Sequence, residues 1–328
     1  MMARTPHPLP APLAVLAALA TALAGPALAP VAPAAAERPS SAAAAEMVRE
    51  DSVLHVRVAG RGRPLLLIPG LSSAGEVWDG AVARYRDRYE CHVVTLGGFA
   101  GRPRFEGPFL ATARDALVAY VRRHALRDPV VVGHSLGGTL ALMVAIEAPD
   151  AVGALVMLDA LSFAGGAAGA DVTVDEARAR MAPFRDLIRS QSQEQYVAFQ
   201  RQSPFLREMA ASEDDQRRIR AWGERSDRRT VADAMYELNT TDLRPSLGRV
   251  RAPALVLGTW YGMRAMTTPA RVDSVFRAQF AGLPRLAFAL ADTARHFVML
   301  DAPDWTWGQV DAFLAAHARG GSLGGRTP

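Results

Sequence analysis

The chain has 328 residues, of which 50% are hydrophobic and 21% are charged, so it can bury a large core and does not belong to the disordered class. All 37 basic side chains are arginine, which excludes a P-loop lysine, a Schiff-base lysine and a Ser-x-x-Lys nucleophile pair. The formal net charge is only +4, and no dense arginine run alternates with aromatic residues, so we expect no nucleic-acid partner. The single cysteine, Cys91, excludes an internal disulfide and a cysteine-rich metal site.

The first 36 residues have the pattern of a secretory signal. A weakly basic start at Arg4 and His7 precedes an apolar run over 11–24 and a Pro- and Ala-rich end. This pattern predicts cleavage after small residues and export to the periplasm or the medium. The apolar run is short and interrupted by proline, so we expect no stable membrane span. An uncleaved N-terminal anchor and a disordered tail are the alternatives.

Strand and helix patterns alternate after a predicted flexible linker over 37–50. The predicted strands cover 53–58, 64–68, 91–96, 129–132, 151–158, 254–257 and 285–290. The predicted helices cover 76–89, 110–126, 135–148, 175–190, 194–201, 213–226, 229–238, 271–280 and 305–317. This rhythm predicts an α/β fold in which helices cover a mostly parallel sheet.

The alternation of strands and helices is interrupted once. Residues 161–246 carry helical patterns and no strand pattern, which predicts a helical insertion. The α/β core is therefore expected over 51–160 and 247–318. The Gly-rich end, 319–328, is expected to be disordered.

Residues 130–138 contain a Gly-x-Ser-x-Gly motif formed by Gly133, Ser135 and Gly137. The motif follows a buried apolar run and opens a helical pattern, so it lies at a strand-to-helix turn. Such a sharp turn strains the serine, projects its hydroxyl, and leaves no room for larger residues two positions away. The Leu136 amide then points from a helix N-terminus to where negative charge develops in acyl transfer. We interpret Ser135 as a nucleophile and Leu136 as an oxyanion donor; an ordinary glycine-rich turn is the alternative.

With this motif in this setting, the chain resembles the capped serine hydrolases and esterases of the α/β-hydrolase superfamily. The resemblance covers most of 51–318, and the insertion falls where that superfamily carries its cap. Residues 65–71, Leu-Leu-Leu-Ile-Pro-Gly-Leu, resemble the strand and oxyanion turn of the fold, with Pro69 where histidine is common. Because that turn acts through its backbone, the resemblance implies the Leu71 amide as the second oxyanion donor.

The resemblance also implies that a histidine base follows the last strand. Residues 293–303 have this setting and contain His296, which we assign as the base. His317 lies in the predicted C-terminal helix, and His134 adjoins the nucleophile, where it is expected to pack beside it. The histidines of the early elements lie too far upstream in the order of the fold.

The acid departs from the usual pattern of the superfamily. Its usual place is the loop after 254–257, but no Asp or Glu occurs between Asp242 and Asp273. The strand over 154–158 ends in Asp159, and some α/β-hydrolases carry the acid there because the two strand ends are neighbours. We therefore choose Asp159, which gives the order Ser–Asp–His.

Two other carboxylates stay open as the acid. An aspartate at a strand end often only caps a turn, and Asp292 or Asp301 lies close to His296 in the sequence. The insertion is expected to act as a lid that shapes substrate choice. Trp260 and Tyr261, in the acid-free loop, and Phe99, after another strand, are predicted to line the substrate pocket.

These interpretations predict an exported serine hydrolase that cleaves a small-molecule carboxylic ester, with a lactone or thioester also open. The mechanism would pass through an acyl-enzyme and needs neither a metal nor an organic cofactor. An aminopeptidase or amidase, and a non-catalytic ligand-binding protein of the same fold, are the alternative functions.

Overall fold

The computed structural model describes residues 47–169 and 171–317. The predicted signal over 1–36, most of the predicted linker and the predicted disordered tail over 319–328 lie outside the described residues. Among the described residues, no helix combines the length and the hydropathy that crossing a bilayer requires.

A sheet of eight strands forms the centre of the fold. The strands are β1 (Met47–Glu50), β2 (Leu54–Gly60), β3 (Arg63–Ile68), β4 (Tyr89–Leu96), β5 (Val130–His134), β6 (Ala154–Leu158), β7 (Ala254–Gly258) and β8 (Leu286–Leu290). Their order is β1-β2-β4-β3-β5-β6-β7-β8. The β1–β2 and β2–β4 pairs are antiparallel, and every later pair is parallel. The predicted mostly parallel sheet is therefore confirmed.

Eleven α-helices occur within the described ranges. They are α1 (Asp79–Tyr85), α2 (Phe109–Arg123), α3 (Leu136–Glu147), α4 (Val174–Ser190), α5 (Gln193–Gln202), α6 (Leu206–Met209), α7 (Glu213–Glu224), α8 (Arg228–Thr240), α9 (Pro269–Phe280), α10 (Val298–Asp301) and α11 (Pro303–Ala316). The helix predicted over 76–89 is split, because a 3₁₀ turn at Gly75–Trp78 precedes α1.

Helices cover both faces of the sheet, which explains the continuous apolar runs of its central strands. In β3, Leu66 and Ile68 belong to one hydrophobic cluster, with residues of α2, α3 and α9. Leu65 and Leu67 point the other way, into a second cluster with residues of α1 and α11. Side chains that alternate between two buried faces need no polar positions.

The linker predicted over 37–50 is wrong at its end, because Met47–Glu50 form the edge strand β1. This strand pairs with β2 on one side only, with Val48 opposite Arg57. The side chains of Met47 and Val48 are more than half exposed, 56% and 53%. Backbone hydrogen bonds to β2 therefore hold β1 in the sheet, although the sequence of β1 shows no alternation of buried and exposed residues.

The helices α4–α8 form a cap between β6 and β7, as predicted for 161–246. Capping boxes at Thr173 and Ser192 begin α4 and α5. The cap is joined to the core by Glu237 of α8, whose two carboxylate oxygens accept hydrogen bonds from the Phe109 and Leu110 amides at 2.8 Å each. A carboxylate at the N-terminus of α2 also matches the helix dipole.

Candidate active site

Ser135 occupies a strained turn between β5 and α3. Its φ of 52° and ψ of −123° lie outside the regions that non-glycine residues favour. The turn is tight: a Cβ on Gly133 would lie 2.1 Å from the Gly137 carbonyl oxygen, and one on Gly137 would lie 2.2 Å from the Ile68 carbonyl oxygen. Glycine is therefore required on both sides of the serine, as the motif predicts.

The Asp159 carboxylate contacts the His296 ring, with 2.6 Å between Oδ2 and Nδ1. This is the contact expected from the neighbouring strand ends: Asp159 follows β6, and its amide donates to the Leu257 carbonyl of β7 at 2.7 Å. Thr259 fixes the carboxylate from the other side. Its amide donates to Oδ1 and its hydroxyl to Oδ2, both at 2.8 Å. Three donors thus hold an acid whose own φ is 45°.

Thr259 is a site residue that the sequence prediction missed. It is the first residue after β7, so it lies where the family's usual acid loop begins. The register of β6 and β7 is the signal that could have identified Thr259. Leu158 pairs with Leu257, so the residues that follow the two strands must lie close together. A threonine at that point supplies two donors to a neighbouring carboxylate.

The contact with Asp159 determines which nitrogen of His296 can act as a base. An ionised carboxylate only accepts hydrogen bonds, so Nδ1 carries the proton and the Nε2 lone pair is free. Ser135 and His296 both line the two cavities at this edge of the sheet. These two described side chains do not hydrogen-bond each other here; such bonds are often long before a substrate is bound.

The two alternative acids do not contact the His296 ring. Asp301 accepts from the Ala211 amide at 2.8 Å through Oδ1 and from the Arg295 amide at 2.9 Å through Oδ2. It therefore joins the cap to the loop that carries the histidine. Asp292 is exposed. Within the described residues, Asp159 is the carboxylate placed to orient the ring.

His134 packs beside the site, as expected for a residue that adjoins the serine. Its Nε2 donates to the His296 carbonyl at 3.0 Å, and the two ring centroids are 4.6 Å apart. Burial, and secondly the neighbouring His296, hold the pKa of His134 well below its usual value. A neutral His134 thus supports the backbone of His296 without adding a charge.

The two amides predicted as oxyanion donors are both available. Leu136 begins α3, and Leu71 lies in the turn after β3 and lines the first of the two cavities. In the described part of the chain, neither amide donates a hydrogen bond to another residue. Free amides beside the serine can bind the oxygen on which negative charge develops.

Two cavities meet at Ser135 and His296. The first cavity, of about 130 Å³, lies under the cap and is lined by side chains from all of α4–α8, most of them apolar. The second cavity, of about 90 Å³, lies towards β6 and β7 and includes Asp159, Thr259 and Trp260. Ser135 and His296 therefore border two separate spaces.

Of the three predicted pocket residues, only Trp260 lines one of these cavities. The prediction for Phe99 is wrong: the positive φ of Gly98 turns the chain inward, and the Phe99 ring is fully buried against Phe109, with centroids 5.0 Å apart. Tyr261 lines neither cavity, because its ring packs between Trp260 and the guanidinium of Arg264, which lies 4.5 Å from the ring centroid.

No group of three or more His, Cys, Asp or Glu side chains suited to a metal ion occurs within 47–169 and 171–317. Cys91 is buried, and burial raises the pKa of its thiol to about 11. At the point where the two cavities meet, a hydroxyl (Ser135), an imidazole (His296) and a carboxylate (Asp159) lie together.

Known proteins resemble this chain over most of its length. A sequence profile described as the alpha/beta hydrolase family matches residues 65–309. A pimeloyl-[acyl-carrier protein] methyl ester esterase of Nitrosomonas europaea is 26% identical over 261 residues, covering 76% of this chain and 95% of that protein.

Solved structures share the fold. An enol-lactonase from Burkholderia xenovorans LB400 superimposes with a TM-score of 0.65 at 16% identity, covering 81% of this chain and 99% of its own. An esterase from Exiguobacterium antarcticum gives a TM-score of 0.64 at 15% identity, covering 80% and 95%. The family match, the sheet order and the serine turn together show that the chain belongs to the α/β-hydrolase family.

Proposed function

We propose that this carboxylic ester hydrolase acts through Ser135 as nucleophile, His296 as general base and Asp159 as the acid that orients the base. The observation that carries the proposal is the 2.6 Å contact between Asp159 Oδ2 and His296 Nδ1, in a histidine that shares both cavities with Ser135. The names of the similar esterases and of the enol-lactonase support ester chemistry.

The reaction proceeds in two halves. Ser135 Oγ attacks the ester carbonyl carbon while His296 Nε2 accepts the hydroxyl proton, and the Leu71 and Leu136 amides bind the oxyanion. The carbon–oxygen bond to the alcohol breaks, and the alcohol leaves with the proton from Nε2. Water then attacks the acyl-enzyme, gives its proton to Nε2, and releases the acid as Ser135 recovers its proton. The Asp159 carboxylate stabilises the imidazolium in both halves.

The proposal is tested with a fluorophosphonate label and a panel of acyl esters, lactones and aminoacyl amides. We expect the label on Ser135 of the wild type and not on Ser135→Ala. Both Ser135→Ala and His296→Ala should lower turnover by ~10⁴-fold or more, because members of a triad act as a unit.

Three results would contradict the proposal. Ester turnover by Ser135→Ala equal to that of the wild type would remove the serine mechanism. Preferred turnover of aminoacyl amides would favour the aminopeptidase or amidase. Ligand binding with neither labelling nor turnover would favour a non-catalytic protein of the same fold.

Export is a separate proposal that rests on residues 1–36 alone. Expression of the full chain followed by fractionation and N-terminal sequencing should find the shortened protein outside the cytoplasm. An intact N-terminus on a cytoplasmic protein would contradict export and leave the chemistry at Ser135 unaffected.

A further inference from the structure

The first cavity contains one permanently charged side chain. Apart from the two histidines of the site, its lining residues are neutral except for Arg220, and no Asp or Glu is among them. An arginine in a mainly apolar cavity is unusual, because moving a charge out of water is costly without a partner.

Arg220 belongs to the face of α7 that points into the cavity. Ile219, Arg220 and Gly223 line the first cavity, and they occupy the i, i+1 and i+4 positions of one helical stripe. Arg217 and Arg218 of the same helix line neither cavity. They pair with acids one turn earlier, as helical ion pairs usually do.

Arg220 has no partner of its own. Its Nε is buried without a hydrogen bond, and within the described residues its guanidinium makes no ion pair. Glu224, four residues after Arg220, is already paired with Arg201. Nε of Arg201 donates to Oε1 of Glu224 at 3.1 Å, and Nη2 donates to Oε2 at 3.0 Å. The five donors of an arginine fork are thus left for something that enters the cavity.

Two other polar side chains of the first cavity, Gln200 and Tyr196, are neutral. Gln200 also lines the cavity, and its amide donates to the Tyr196 hydroxyl at 2.6 Å. Burial raises the pKa of Tyr196 to about 12, so the phenol keeps its proton. A cavity with a cation, protonated hydroxyls and no acid is complementary to an anion.

We propose that Arg220 binds a carboxylate on the substrate, so that this enzyme prefers esters whose part in the first cavity carries a negative charge. The inference rests on the proposed function, since it assumes that the ester carbonyl lies at Ser135. The proposed contact lies in the cap and takes no part in bond breaking. It would determine which class of ester the enzyme prefers.

The test uses pairs of esters that differ only in charge. Monomethyl esters of dicarboxylic acids of increasing length are compared with the same esters bearing a terminal carboxamide, and a second series places the carboxylate on the alcohol part. We expect the wild type to prefer the carboxylate of one series by roughly 10- to 100-fold in kcat/KM, as befits a charged hydrogen bond. Arg220→Gln should abolish this preference, so that the carboxylate and carboxamide esters of one length have similar kcat/KM, since the lost contact is a binding contact.

Matched variants separate a binding role from a structural one. Arg217→Gln removes an exposed arginine of the same helix and should leave the preference unchanged. Arg220→Lys should retain part of it. Arg220→Met should keep or raise the melting temperature, because it removes an unpaired charge; a structural arginine would lower it.

The failure of this inference can be told apart from failure of the proposed function. Equal turnover of both members of each pair, blocked by Ser135→Ala, would overturn the role of Arg220 and leave the serine mechanism intact. Calorimetric binding of the carboxylate esters to Ser135→Ala, with and without Arg220→Gln, decides the inference without turnover. Affinity that is unchanged by the second substitution would overturn it.

Discussion

The core and the cap hold their parts of the site by different means. In the core, Ser135, Asp159 and His296 follow β5, β6 and β8, and hydrogen bonds from strand ends fix the acid. In the cap, five helices contribute mainly apolar side chains to the first cavity, and most of these side chains are held by packing. Core substitutions should therefore change turnover for every substrate, whereas cap substitutions should change one substrate relative to another.

Two carboxylates connect these regions without taking part in the reaction. Glu237 brings the cap to the N-terminus of α2, and Asp301 holds the Ala211 amide of the cap beside the loop of His296. Substitutions in the cap lining leave both contacts in place, because neither Glu237 nor Asp301 lines the first cavity. The following variants test whether core and cap differ in this way.

The largest effect is expected from Asp159→Asn. The asparagine keeps the shape but favours the wrong tautomer of His296, so we expect kcat/KM to fall by ~10⁴-fold for every ester. Asp292→Asn and Asp301→Asn are the matched controls and should cost much less, although Asp301→Asn disturbs the contact between cap and core. If Asp159→Asn changed the ratio of the rates for two substrates, a core residue would govern selectivity. That result would contradict the division of roles between core and cap.

The next effect concerns the stability of the serine turn. In Gly137→Ala the new Cβ would lie 2.2 Å from the Ile68 carbonyl oxygen, which is backbone and cannot move aside. We expect the free energy of unfolding to fall by about 3 kcal/mol, measured by urea denaturation. Gly308→Ala, in α11 with nothing within 4 Å of its Cβ, is the control and should gain about 0.5–1 kcal/mol. Equal stability of the two variants would contradict the tight turn.

Thr259→Val should have a smaller and uniform effect. Valine keeps the backbone amide that donates to Asp159 but removes the hydroxyl that donates at 2.8 Å. We expect kcat/KM to fall roughly 10-fold for all esters, as for other groups that orient a functional side chain, and Thr259→Ser to restore most of it. A loss confined to substrates with bulky groups would instead show that Thr259 acts through the shape of the second cavity.

The sequence predicts most of the core because its signals are local. The apolar run of β5, the glycines around Ser135 and the start of α3 lie within a few residues of each other, and the strand order then leaves Asp159 as the available acid. The role of Thr259 depends on the register between β6 and β7, two strands that are distant in the chain. This register cannot be inferred from the amino-acid composition. The edge strand β1 has exposed side chains and therefore lacks the periodicity that burial produces.

The lining of the pocket is harder to predict from the sequence, because it depends on the direction in which each side chain points in the folded chain. Phe99 and Tyr261 both follow a strand at the correct edge of the sheet, yet the turn at Gly98 sends one ring into the core and Arg264 holds the other outside the cavities. Arg220 appears as one of many arginines in a polar helix, and only the orientation of α7 reveals which of them faces the cavity.

The smallest effect is a pH dependence of stability that arises in the core, because the cap over 161–246 contains no histidine. Burial holds the pKa of His134 well below its usual value, so the folded chain keeps it neutral whereas the unfolded chain binds a proton below about pH 6.5. Protonation therefore favours unfolding as the pH falls, and this residue alone should cost up to about 1.4 kcal/mol of unfolding free energy between about pH 7.5 and pH 5.5. His134→Gln places an amide nitrogen near the Nε2 position and removes the titration. Urea denaturation of both proteins at the two pH values should show a pH-dependent loss that is smaller by this amount in the variant. Equal losses would mean that His134 is protonated in the folded chain, and the ring beside His296 would then carry a charge that the proposed mechanism does not include.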